Sequence, residues 1–391
     1  MIGAGVGGLT LAQGLLRIGF DVAVHEKDGV GGRPQGISLH MDERGRAALQ
    51  TCLPPAQAEM AEATMGGQRE RAQMLADTDG ELTLAGSLPM DGTKARPGRQ
   101  ASRPVLRAVL LAGLADVVRF ESEFTHFEQQ DDGTVKAWFA DGSSDTADLL
   151  IGADGVGSAV RGQRLPQAQV IDTGKRMLMG ATPLTAIADT GLVETVGDNP
   201  STVQVDGAMR IALGVLRFAE PPVAARDRLL PDLRSPAIEE AEDFVMFAIP
   251  AGKEVVPADA SPEDVWRVAK KLVTDLHPTV RAVVNNAWPE VSFPHRIGMI
   301  PPQPPWPATP VTLIGDAVHV APGFGGNLAM QDARRLCEAL AGSAGDPRDL
   351  LAAIGAYENA MRGETLEIAK AFAPKPPSAS SSEAAQVGGE R

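Results

Sequence analysis

A chain of 391 residues with 36 Lys plus Arg against 50 Asp plus Glu carries a formal net charge of −14. So acidic a protein excludes non-specific nucleic-acid binding and electrostatic attachment to anionic membranes, leaving neither as an expected partner. With 43% hydrophobic and 22% charged residues, it has a globular composition and enough length for two or three structural units around a sizeable core.

Met1 and Ile2 run straight into the turn Gly3-x-Gly5-x-x-Gly8. Leu9 to Ile18 then reads as a helix, with Leu11, Leu15 and Ile18 at helical spacing and Gly19 as its stop. Val22 to Val24 reads as a strand delivering Glu26, so the opening is a β-turn-α-β unit. Val105 to Leu114 is helical in pattern, and Val117 to Trp138 reads as strands with polar breaks. Asp141-Gly142 signals a hairpin turn leading into the apolar strand Ala147 to Gly152. Residues 166 to 294 alternate short apolar runs with Gly, Pro and Asp, which predicts a mixed or antiparallel sheet with few helices. The exception is Ser261 to Leu276, where Ser261 can cap, Pro262 suits the first helical position and Val265, Val268, Ala269, Leu272 and Leu276 form one stripe. Val311 to Ile314 predicts a buried strand, followed by a Gly-rich loop, a helix from Leu328 to Ala341 and a last helix from Leu350 to Phe372. The stretch 373–391, rich in Pro, Ser, Ala and Gly, is expected to be disordered. Cys52 and Cys337 have neither disulfide nor metal spacing and are expected to be inert buried thiols. No apolar run approaches the roughly 18 residues that span a bilayer. No signal peptide precedes the first motif, so a cytoplasmic location is expected.

Three motifs carry chemistry. Gly3, Gly5 and Gly8 make a tight turn that lets backbone approach a pyrophosphate, with free N–H donors at the helix start behind it. Glu26, at the end of the next strand, can accept ribose hydroxyls. This motif alone does not separate FAD from NAD. The second motif is the strand end Asp148-Leu-Leu-Ile-Gly152-Ala-Asp154-Gly155, with Ser158 and Arg161 after it. It suits a second phosphate-side loop, in which Asp154 holds backbone N–H groups or an arginine, and it also reads as an ordinary strand-turn-helix. The third is Gly315-Asp316-Ala-Val-His319, continuing through Pro322 to Gly325-Gly326-Asn327 and Gln331-Asp332-Ala333. Here a buried strand delivers a carboxylate that can take a sugar hydroxyl, and a glycine loop can pass close to a planar ring. His319 reads as a structural histidine, and Met177, Met179, Met209 and Met246 read as core.

Taken in this order and spacing, the three motifs make the chain resemble the aromatic-ring hydroxylases of the para-hydroxybenzoate hydroxylase-like family of FAD-dependent monooxygenases. The likeness runs from the first residues to about Phe372. It implies an α/β fold, a Rossmann-like FAD-binding domain with a central parallel sheet and an inserted mixed or antiparallel β-sheet substrate domain. By that likeness residues 1–60, 100–165 and 295–372 form the FAD-binding domain, and 61–99 with 166–294 form the substrate domain. It assigns Gly3, Gly5 and Gly8 to the FAD pyrophosphate and Glu26 to the adenosine ribose. Arg33 and Arg103 become cofactor arginines. Asp154 and Gly155 support FAD and transient NAD(P)H binding. Gly315 and Asp316 meet the ribitol or ribose, and Gly325, Gly326 and Asn327 border the isoalloxazine. The implied reaction uses NADH or NADPH and O2 to hydroxylate a small aromatic or polycyclic substrate through a flavin C4a-hydroperoxide. Another FAD oxidoreductase of the same fold and a non-catalytic flavin-binding relative are the alternatives. Oligomeric state, substrate identity and any catalytic side chain stay open, and no metal site is expected. Two departures from the family pattern are visible. Few residues precede Gly3 where relatives carry a central strand, so that strand is expected to be nearly absent and the start truncated. The loop after Pro322 is also shorter than the family's Pro-x-x-Gly-x-Gly-x-Asn.

Overall fold

The computed structural model describes residues 1–32, 36–78, 80–92, 96–257, 259–320, 325–343 and 347–372. Arg33, the stretch Ala321 to Phe324 of the shortened loop and the tail from residue 373 fall outside them.

The glycine turn springs from the middle of a short parallel sheet. Ile2 bridges His25 on one side and Gly152 on the other, both in parallel sense. Backbone bonds from Gly3 N–H to His25 O (2.8 Å), His25 N–H to Met1 O (2.9 Å), Ile2 N–H to Ile151 O (2.9 Å) and Ala153 N–H to Ile2 O (2.7 Å) complete the ladder. The central strand is as short as expected, reduced to the single bridging residue Ile2, yet Met1 to Gly3 still satisfy their neighbours' backbone groups. Outward from this centre, Val24–His25 pairs with Val118–Arg119, and Leu150–Gly152 pairs with Val311–Leu313, again in parallel. Leu150, Ile151, Val311 and Leu313 are buried in a continuous apolar run, as strands covered on both faces require.

The helix Val6–Arg17 covers this sheet and packs on Gly325–Ala341 and Glu43–Cys52. Gly14 allows the three to meet, since a Cβ there would stand 2.9 Å from the Cys337 sulfur and 3.1 Å from that of Cys52. The two cysteines, remote in sequence, are thus neighbours, and both are free and buried. Phe124–Gln129, Val135–Phe139 and Ser144–Ala147 form an antiparallel meander that adds Phe124, Phe127, Val135 and Phe139 to the same core.

A second, seven-stranded sheet runs in the order Phe293–Met299, Ile171–Pro183, Phe244–Gly252, Ala208–Leu216, Ser201–Val205, Arg71–Thr78 and Glu81–Pro89. Every pairing is antiparallel except that of Ser201–Val205 with Arg71–Thr78. Alternate residues Leu178, Val245, Phe247, Ile249, Ile211 and Leu213 face the helices Pro262–Leu272 and Pro278–Asn285 and form a core of their own. The opposite face carries Met179, Met246 and Phe293, which with Ile37 line a shallow apolar depression. Arg69, buried on a third small sheet, joins the two parts: it donates to Asp198 O (2.7 Å), Val215 O (3.0 Å) and the Gln100 side chain. Burial lowers its guanidinium to about 10.

Ser261 caps its helix as expected, accepting from the Asp264 N–H at 3.2 Å. The expectation of few other helices in this region is corrected by Leu192–Val196, Pro222–Leu229, Pro236–Glu239 and Pro278–Asn285. Three of these open on a proline, which is preorganised for the first helical turn and was the available signal. No helix among the described residues is long and apolar enough to cross a membrane.

Candidate cofactor and substrate site

In a parallel sheet the strands' carboxyl ends share one edge, and that edge is where open α/β proteins place ligands. Here it carries the Gly3 turn, Glu26, Ala153-Asp154 and Gly315-Asp316, one after each strand in turn.

The glycines of the first turn do different work. Gly3 has φ +104°, and a Cβ on it would lie 2.3 Å from Ala153 O. A Cβ on Gly8 would lie 2.2 Å from Gly3 O, whereas one on Gly5 would meet nothing within 4 Å. Gly3 and Gly8 are required by the protein's own packing, and Gly5 keeps one side of the turn open. The helix behind begins at Gly5 with no side-chain cap and no acidic residue in its first turn. Its unpaired N–H groups and positive dipole end suit a pyrophosphate. Glu26 braces the turn, accepting from Ala4 N–H at 2.7 Å and Asp28 N–H at 2.9 Å.

Asp154 accepts from Ser158 Oγ (2.5 Å), Ala159 N–H (2.8 Å) and Val160 N–H (3.2 Å), so it shapes the turn after its strand. Burial raises its carboxyl above the usual range against these bonds. Gly155, at φ +75°, leaves that turn's outer side clear. Arg161 donates to Ala317 O (3.0 Å) and Val156 O (2.8 Å), tying the second motif to the third. The guanidinium that follows the Asp-Gly turn is thus engaged with carbonyls.

At the third strand end, Gly315 has φ +59°, and its N–H donates to Asp332 Oδ2 at 2.8 Å. The same oxygen meets His319 Nε2 at 2.6 Å, with both side chains buried. Burial opposes the imidazolium there, but the charge of Asp332 and its hydrogen bond prevail and raise His319. Sequence reading quoted Asp332 without a role; the structure makes it the post on which the Gly-Asp strand end is hung. Asp316 itself is half-buried. Burial raises its carboxyl, opposed by His319, Arg103 and His295. Gly325 borders Asp316, since a Cβ there would lie 2.8 Å from Asp316 Oδ1. Gly326 packs on Leu39. Asn327 is bound at both ends of its amide to the strand Ser38–Asp42, donating to His40 O (2.7 Å) and accepting from Asp42 N–H (3.0 Å). Of the three residues expected beside the flavin ring, only Gly325 therefore adjoins the acid of the Gly-Asp motif.

The helix Arg103–Leu111, capped by Ser102, connects the two acids. Arg103 interacts electrostatically with Asp316, and Arg107 with Glu26 and Asp28. Burial lowers both guanidiniums. Four residues apart, the arginines stand on one helix face about 6 Å apart along the axis. Each acid thus has an arginine of this helix acting on it. Arg107 also donates to Val30 O at 2.7 Å and lies over the Phe120 ring at 5.8 Å. Sequence reading missed it, although its i+4 spacing from Arg103 was the signal. The open side of Gly5, the bare helix start and two arginines between two acids fit an extended dinucleotide. Among the described residues no His/Cys/Asp/Glu group suited to a metal occurs.

Comparisons with known proteins agree with this geometry. A family model described as an FAD binding domain matches residues 302–352, which contain the third motif. The chain is 28% identical over 386 residues to a dual O-methyltransferase/FAD-dependent monooxygenase of Cercospora beticola, covering 92% of this chain and 44% of that protein. The chain thus spans less than half of that relative's length. It is also 28% identical over 384 residues to an FAD-dependent urate hydroxylase of Klebsiella pneumoniae, covering 92% of this chain and 84% of the relative. Among solved structures, a Photorhabdus luminescens protein designated an FAD-containing monooxygenase superposes with a TM-score of 0.77 at 28% identity, covering 94% of each chain. Klebsiella pneumoniae HpxO complexed with FAD and uric acid shares the fold, with a TM-score of 0.68 at 24% identity over 95% of this chain and 86% of that one. With the three strand ends of its parallel sheet and the second sheet beside them, the chain is similar in sequence and fold to FAD-dependent monooxygenases.

Proposed function

We propose that this chain is an NADH- or NADPH-consuming FAD monooxygenase that uses O2 to hydroxylate a small aromatic or polycyclic compound. One observation carries the reading: the helix Arg103–Leu111 sets a cation against each of the acids Glu26 and Asp316 along the edge where the glycine turn opens. In this reading Gly5 and the start of the helix Val6–Arg17 hold the pyrophosphate, Glu26 the adenosine ribose and Asp316 the ribitol. Arg33 remains a proposed cofactor arginine. Gly155 gives backbone room beside Asp154. The parallel sheet with its helices is the cofactor part, and the seven-stranded sheet presents its Met179–Met246–Phe293 face to the substrate. Bound FAD supplies the redox chemistry, carrying electrons from the nicotinamide to O2 and delivering one oxygen atom. The chain's own work is to hold the cofactor, orient the ring and keep water out. The similarity to a urate hydroxylase extends the substrate class to polar heteroaromatic rings. Two free buried thiols suit a reducing cytoplasmic setting.

Purified protein is expected to show flavin absorption bands and to release FAD on denaturation. Its NADH or NADPH oxidation should rise on adding a phenol or an oxygenated heterocycle, with hydroxylated product by mass spectrometry. A colourless protein that takes up no added FAD overturns the reading.

A further inference from the structure

The chain has two cysteines, Cys52 and Cys337. Each alone reads as an inert thiol, but the fold makes them a pair. Cys52 ends the helix Glu43–Cys52, and Cys337 lies near the end of Gly325–Ala341. These two helices run side by side in the same direction. At their starts Asn327 accepts from Asp42 N–H, and a Cβ on Gly45 would stand 2.6 Å from the Asn327 amide oxygen. An equal number of residues further on, about 15 Å along each axis, Cys52 meets Cys337. They meet over Gly14, where a Cβ would stand 2.9 Å from the Cys337 sulfur and 3.1 Å from that of Cys52. Both thiols are free.

The two thiols are not equivalent. Cys52 is fully buried, whereas Cys337 keeps 5% of its surface. The Cys337 thiol is lowered, by Cys52 first and by Arg17 as well, against burial and Glu338. That of Cys52 is raised, by Cys337 first, then by burial and Glu338, against Arg17. Arg17 is fixed beside the pair, donating to Thr51 O (2.7 Å) and Leu53 O (2.8 Å) on either side of Cys52. The outer thiol thus ionises more readily than the one beneath it, as an attacking cysteine does beside its resolving partner.

We infer that Cys52 and Cys337 form an oxidation site, which a two-electron oxidant of the peroxide class closes to one disulfide and a thiol reductant reopens. The Cys337 thiolate attacks a peroxide oxygen, so that an S–O bond forms, the O–O bond breaks and hydroxide leaves. The proton that Cys337 had released neutralises this hydroxide. The Cys52 sulfur then attacks that of Cys337. The S–S bond forms, the S–O bond breaks, and the second hydroxide takes the Cys52 proton and leaves as water. Two thiols have given up two electrons and two protons, and one hydrogen peroxide has become two waters. The bond fastens the far ends of two helices whose starts Asn327 already fastens. One of them carries Gly325 beside Asp316, and Asp332 beneath the Gly315 N–H, so the crosslink braces the third strand end.

The test treats the full folded chain with hydrogen peroxide and then alkylates it with N-ethylmaleimide in denaturant. Untreated chain should take up two alkyl groups, one on each cysteine. Treated chain should take up none, and its digest should contain a peptide pair joining Cys52 to Cys337 that dithiothreitol separates. In Cys52→Ser, Cys337 should be oxidised without a crosslink within the chain, and in Cys337→Ser, Cys52 should remain alkylatable. The crosslinked chain should melt a few degrees above the reduced one. Treated chain that keeps both thiols overturns the proposal, as does loss of the thiols only to sulfinic and sulfonic acids or to links between chains. Equal oxidation of Cys52 in Cys337→Ser overturns the order of attack. A crosslinked chain that melts no higher than the reduced one overturns the brace.

Discussion

Gly5 and Gly8 look alike in the motif but meet different surroundings, which separates binding from folding. Gly5→Ala adds a methyl to open space, so the melting temperature of the FAD-free protein should hardly change while FAD affinity falls at least tenfold. Gly8→Ala drives a methyl to 2.2 Å from Gly3 O and should cost about 1–3 kcal/mol in the FAD-free protein. Thermal melts and flavin-fluorescence titrations check both. The His319–Asp332 pair predicts a pH signature. The folded imidazole is raised, so its contribution is fully present below its unfolded value of about 6.5 and is lost as pH rises through the higher folded value. Relative to His319→Gln, the wild-type advantage in melting temperature should be largest on the acid side and should narrow as the solution becomes alkaline. A gap that widens with pH would contradict the assignment. Neither effect was readable from residue type, because His319 titrates according to what the fold packs around it. The motif did nonetheless display every residue involved.

At the scale of elements, the helix Arg103–Leu111 matters because it carries two arginines four residues apart, each acting on a different acid. Sequence pattern identified its apolar stripe from Val105 onward, and the structure starts it two residues earlier, at Arg103 behind the Ser102 cap. It did not reveal that one turn further on Arg107 would meet Glu26, since that depends on where the first strand's crossover leaves the acid. The two arginines should therefore be separable with a half-ligand. Arg107→Ala is expected to weaken ADP and FAD alike, by about tenfold or more for a lost charged contact. Arg103→Ala should weaken FAD but leave ADP unchanged, as read by competition against flavin fluorescence. Equal losses of ADP affinity in both variants would remove the end-to-end arrangement. Asn327 teaches the complementary lesson. The family likeness sets it beside the ring, and its amide also donates to His40 O and accepts from Asp42 N–H. It fastens the helix Gly325–Ala341 to the strand Ser38–Asp42, two elements that lie far apart in the chain.

For the molecule as a whole, the two cores predict how binding spreads. FAD at about a hundred times its dissociation constant adds about 2.7 kcal/mol to whatever unfolds with its site. Hydrogen exchange should therefore slow at Ile2 to Val6, around Glu26 and Asp154, at Gly315-Asp316 and along Arg103–Leu111. The helices Pro262–Leu272 and Pro278–Asn285, which serve the other core, should change little. Uniform protection across both cores would show a single cooperative unit instead. Periodicity and glycine spacing were enough to read the opening β-turn-α-β unit, the order of the three motifs and most of the long helices, because turns, caps and apolar stripes are local properties of the backbone. Short helices beginning at Pro222, Pro236 and Pro278 escaped that reading, as did the backbone bonds of Met1 to Gly3, which acquire their role only from the neighbours that hydrogen-bond to them. The meeting of Cys52 and Cys337, the post formed by Asp332 and the action of Arg103 and Arg107 on two separate acids all arise between segments distant in the chain. Such contacts are chosen by packing over the whole core, and no local pattern encodes them.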